Sequence, residues 1–109
     1  MVKREVEKIK EVIKKLFEER NLSLNKIILF GSYIKNQKSN DIDIIIVSRN
    51  FNRKKINERY RMIRGINRTL VKKTMKPVDT MFYSDKEWKS GNSLIINAAK
   101  RTGKTIYSS

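Results

Sequence analysis

The chain has 109 residues, and 26 lysines and arginines against 11 aspartates and glutamates give it a net charge of +15. It contains no cysteine and no histidine. That excludes disulfides, thiolate and imidazole chemistry and His- or Cys-ligated zinc, so any metal must be a hard, oxygen-liganded ion such as Mg²⁺ or Mn²⁺. Hydrophobic residues, at 39 %, suffice for one core, which predicts a single domain over residues 1–109. No apolar run approaches the roughly 20 residues that cross a bilayer. The opening MVKREVEKIKEV is a charged amphipathic pattern rather than a signal peptide, so a cytoplasmic protein with no membrane partner is expected.

Val6, Ile9, Ile13, Leu16 and Phe17 recur at helical spacing and predict an amphipathic helix over residues 3–20. Asn21 to Asn25 reads as a turn, and Lys26 to Phe30 as a short buried strand. Ser32 is placed to cap a brief helix through Asn36; residues 37–40 are loop. Asp41 to Ser48 is a second strand whose IIIV run is apolar on both faces, the mark of a central strand. Residues 53–74 read as a second long helix, with Ile56, Tyr60, Ile63, Ile66 and Leu70 on its inner side and Arg61, Arg64, Arg68 and Lys72 on the outer.

Pro77 introduces a third strand, Val78 to Tyr83, which puts Asp79, Met81 and Tyr83 on one face. Ser84 to Glu87 fits a capping box. Leu94 to Lys100 is a further helix that Gly103 stops in a C′-like position, and residues 104–107 form an edge strand. The order predicts an α/β (α+β) protein: a small mixed β-sheet flanked by helices.

The chemistry concentrates in residues 26–47. Asp41 and Asp43, two apart on a strand, project from one face about 6 to 7 Å apart. Paired carboxylates repel each other and resist burial, so they usually hold a cation. Upstream, Gly31-Ser32 opens a turn into a helix, where free backbone N–H groups and a hydroxyl suit phosphate. Together these are the tools of phosphoryl or nucleotidyl transfer. Each element alone has a structural alternative: a solvated strand end for Asp41 and Asp43, a tight turn for Gly31, and an ion pair with a helix arginine for Asp79. The charge is also uneven. Residues 1–20 are near balance, whereas residues 51–76 hold ten basic residues opposed only by Glu58, a surface for a polyanion or an acidic partner.

Phe30-Gly31-Ser32, a loop, and Asp41-x-Asp43 leading into an apolar strand resemble the signature of the polymerase-beta-like nucleotidyltransferase superfamily. The small size and the ending Ala98 to Tyr107 resemble its minimal nucleotidyltransferase group, and the likeness covers nearly the whole chain. The resemblance implies that Gly31 and Ser32 hold the β- and γ-phosphates of a nucleoside triphosphate. It also implies that Asp41 and Asp43 bind two divalent metals, and that Asp79 is the third carboxylate of the metal site. Family members often carry a small residue, a basic residue and a second glycine after Gly-Ser. Here Ile34, Lys35 and Asn36 stand instead, with Lys35 keeping the basic position beside the nucleotide.

The expected activity is Mg²⁺-dependent transfer of a nucleotide, AMP from ATP, to an acceptor hydroxyl. By the resemblance, the acceptor is a HEPN-type helical protein, with this chain as antitoxin of a toxin–antitoxin pair. Two alternatives stand beside it. One is transfer to a nucleic acid, held through basic helix 53–73, or to a small hydroxyl compound. The other is a non-catalytic basic binding module of the same fold.

Overall fold

Residues 3–31 and 41–109 are described in the computed structural model. Helix α1 spans Lys3–Glu19, strand β1 Lys26–Phe30 and strand β2 Ile42–Val47; a 3₁₀ turn follows at Arg49–Phe51. Helices α2 (Ile56–Met62) and α3 (Ile66–Thr74) precede strand β3 (Val78–Tyr83). Helices α4 (Asp85–Ser90) and α5 (Leu94–Thr102) then lead to strand β4 (Lys104–Ser108).

The sheet order is β3-β2-β1-β4. Strand β1 pairs antiparallel with both β2 and β4, while β2 and β3 run parallel. Period-2 alternation divides β2 between two cores. Ile42, Ile44 and Ile46 pack with Ile9, Ile13 and Phe17 of α1 and with Ile66 and Leu70 of α3. On the opposite face, Ile45 and Val47 pack with Trp88 of α4 and with Ile96 and Ala99 of α5. The expected mixed sheet between helices is therefore present, with the IIIV strand inside it.

The expected long helix over residues 53–74 is instead two helices. Gly65 adopts φ +91°, which L-residues avoid, with space on every side where a Cβ would be. Arg20, just past the end of α1, donates to the carbonyls of Met62 (3.1 Å) and Arg64 (2.6 Å), replacing the intrahelical donors lost at the break. Ile63, Ile66 and Leu70 are buried as expected, but Ile56 is 70 % exposed and Tyr60 46 %. Arg59 takes the buried place. Its guanidinium donates to the carbonyls of Lys54 (3.0 Å) and Phe82 (2.7 Å) and pairs with Glu87 at 2.8 Å.

These contacts also close a sheet edge. Thr80 and Phe82 carry the carbonyls of β3 that Tyr60 (3.3 Å) and Arg59 occupy, so α2 covers what would otherwise be an open template for strand pairing. The capping box at α4 forms as read: Glu87 N–H donates to Ser84 Oγ, and Ser84 N–H donates to Glu87 Oε1.

Gly103 differs from expectation. Its φ is −81°, not left-handed. Glycine is needed there for closeness: a Cβ would lie 2.8 Å from Ile28 Cγ2 and 3.1 Å from the Leu29 carbonyl.

Candidate active site

The second strand begins at Ile42 rather than Asp41, so Asp41 is an exposed residue just ahead of β2 and Asp43 is its second residue. Parallel register sets Asp43 directly beside Asp79, the second residue of β3. Hydrogen-bonded strands lie about 4.8 Å apart. Both side chains belong to the face that carries Ile45, Val47, Met81 and Tyr83 further along. The helices covering that face pack over those later residues, which leaves the aspartates at the strands' opening end.

Antiparallel register sets Phe30 opposite Asp43, with Gly31 following at φ +86°. A side chain at Gly31 would overlap Asp43 Oδ2. Glycine is thus required twice here, by the backbone angle and by the carboxylate beside it. Ser32 and Lys35, the other expected nucleotide contacts, lie outside the described residues, as does the short helix expected after Ser32.

Burial pushes the Asp43 carboxyl above its ordinary value, and the negative charges of Asp79 and then Asp41 push it further. Asp43 therefore feels the charge of both other aspartates. Among the described residues, Asp79 makes no ion pair with Arg61, Arg64 or Arg68, the structural role the sequence left open.

A divalent cation fits this donor set chemically: every donor is a carboxylate oxygen, and a cation would reverse the repulsion that raises Asp43. Among the described residues, no three acidic side chains already converge into a metal cage.

Sequence reading passed over Arg20 and Arg59. Both reach partners 23 to 44 residues away, and neither carries a local signature.

The family profile described as Polymerase beta, Nucleotidyltransferase matches residues 7–109. No curated protein matches the chain by sequence. Among solved structures, a candidate nucleotidyltransferase from Sulfolobus solfataricus is similar at a TM-score of 0.66 and 18 % identity, over 96 % of this chain and 81 % of that one. A toxin–antitoxin complex with AMP-PNP gives 0.61 and 23 %, over 91 % and 73 %. The complex of tri-AMPylated Shewanella oneidensis HEPN toxin with MNT antitoxin gives 0.57 and 20 %, over 95 % and 73 %. At these identities the likeness establishes the fold. The profile runs through the paired aspartates and both flanking cores, and on that match this chain belongs to the polymerase beta nucleotidyltransferase family.

Proposed function

We propose that the chain is a divalent-metal-dependent nucleotidyltransferase that moves AMP from ATP to a hydroxyl on a HEPN-type partner, as the antitoxin of a toxin–antitoxin pair. One observation carries the reading: Asp43 stands in register beside Asp79, Asp41 adds its charge to theirs, and Gly31 packs against Asp43 from the other side. The similarity to an MNT antitoxin in complex with an AMPylated HEPN toxin supports the choice of nucleotide and partner.

Asp41, Asp43 and Asp79 would hold Mg²⁺ or Mn²⁺. When bound, the ions would neutralise the triphosphate and ease ionisation of the attacking hydroxyl. Gly31, with Ser32 and Lys35, would seat the β- and γ-phosphates. Asp79 would orient the acceptor hydroxyl and take its proton. The hydroxyl oxygen then bonds to the α-phosphorus, the bond from that phosphorus to the bridging oxygen breaks, and pyrophosphate leaves. Positioning and charge supply most of the acceleration in such transfers, so the lack of histidine and cysteine is no obstacle.

The test is label transfer from α-³²P ATP to a HEPN-type partner in the presence of Mg²⁺. Transfer should occur with the native chain and disappear with Asp43→Asn. Equal labelling by the two proteins would refute the metal-site assignment.

A further inference from the structure

The aspartates are flanked unequally. Gly31 of the β1 side packs on Asp43, whereas Asp79 belongs to β3, the outer strand of the sheet. With the nucleotide on the Gly31 side, an acceptor reaches Asp79 across the β3 border. The elements there are α2 and the start of α3, fastened to Thr80 by the Tyr60 hydroxyl and by a 2.6 Å hydrogen bond from Thr80 Oγ1 to Asn67 Oδ1.

Two open grooves share Tyr60. One extends to Lys54, Ile56 and Met81, the last two residues beyond Asp79 on the same face; the other is lined by Arg61, Arg64 and Arg68. The two linings carry Lys54, Lys55, Arg59, Arg61, Arg64 and Arg68 against Glu87, which Arg59 pairs, so the border is net positive. It is also apolar in the middle, since Ile56 is largely uncovered and Tyr60 nearly half so. Arginine beside exposed aromatic and aliphatic surface is the composition of protein–protein hot spots. A track for bare phosphates would have no use for an uncovered isoleucine.

We propose that the α2–β3 border docks the acceptor, and that the docking segment is an acidic stretch of polypeptide carrying the receiving hydroxyl. This rests on the nucleotidyl-transfer reading above. Arginine forks match carboxylates in bidentate geometry. Tyr60 and Ile56 would bury apolar side chains of the same segment, and the border's charge would speed encounter and weaken with salt.

A fluorescein-labelled Glu/Tyr random copolymer, read by anisotropy, tests the surface. A Lys/Tyr copolymer and oligouridylate serve as alternatives. The native chain should bind the Glu/Tyr polymer in preference to both, less tightly as salt rises. The combined R61E/R64E/R68E variant should bind it about tenfold or more weakly, and the milder R61A/R68A pair should shift the same way by a smaller factor. The proposal is overturned by unchanged binding in both variants, by no binding to the native chain, or by tighter binding of oligouridylate, which would mark a nucleic-acid surface. Calorimetry of Mg²⁺-dependent ATP binding to the native chain separates the two readings. Its absence would sink nucleotidyl transfer and leave the copolymer result standing. ATP binding together with a copolymer affinity indifferent to the arginines would sink the docking surface alone.

Discussion

Gly31 lies so close to Asp43 that a methyl group on its Cα would occupy the space of the carboxylate oxygen. The left-handed backbone at Gly31 and the position of Asp43 are therefore coupled. Gly31→Ala should lower stability by about 1–3 kcal/mol from backbone strain alone and should depress nucleotide transfer further by displacing Asp43. Gly91→Ala is the control: its φ is +72°, but the nearest atom to a new Cβ is Asn97 Oδ1 at 3.8 Å. Urea melts of the two variants should show similar strain, and only Gly31→Ala should lose transfer.

Asp43 is held at a cost to the fold. Its pKa is raised in the folded chain by burial, Asp79 and Asp41, so the folded state binds its proton more tightly than the unfolded one. The stability lost to this group is present at neutral pH and is regained as pH falls through the raised value toward 3.8. Asp43→Asn removes the charge, so it should raise Tm at pH 7 while abolishing transfer. The gain over the native chain should vanish in acid. A Tm lower than native at pH 7 would contradict the electrostatic account.

Mg²⁺ or Mn²⁺ with ATP should stabilise the folded chain by mass action, about 2.7 kcal/mol when the ligand stands at 100 times its Kd. The shift should reverse with EDTA and be absent in Asp43→Asn. Thermal melts with the metal and nucleotide added singly and together measure it.

Arg59 stitches α2 to the β3 edge and to α4. Arg59→Ala frees two carbonyls and the Glu87 carboxylate, which should cost about 2 kcal/mol, the scale of hydrogen bonds to charged groups. Burial pushes Glu87 up, but the Ser84 N–H and Arg59 outweigh it and hold the carboxyl below its ordinary value. Its contribution is therefore present above 4.5 and lost as pH falls through the lower folded value. Chemical denaturation of Arg59→Ala at pH 7 and pH 4 should show a smaller deficit in acid.

Wherever the code was local, the architecture could be read from the residues. Alternation in Val78 to Tyr83 placed Asp79 on its face, the Ser84/Glu87 spacing announced α4, and β1 ended where Gly31 interrupts the apolar run. The break at Gly65 was hidden because Ile63, Ile66 and Leu70 keep helical spacing across it, and all three remain buried. Arg59 carries no local signal because its burial depends on Glu87, 28 residues on. At Gly103 the constraint is close contact rather than turn geometry: a Cβ would lie 2.5 Å from the Ala99 carbonyl and 2.8 Å from Ile28 Cγ2 of β1. At Arg59, helix periodicity ranks side chains by apolarity, and a long-range polar partner reverses that ranking.

The pairing of β1 with β4 joins residues as far apart as Lys26 and Ser108. The strand that delivers Gly31 to Asp43 thus acquires its outer neighbour only after residues 104–108 have left the ribosome. A nascent chain halted before them would expose one flank of β1, and the most distant contact in the sheet should limit how fast the site matures.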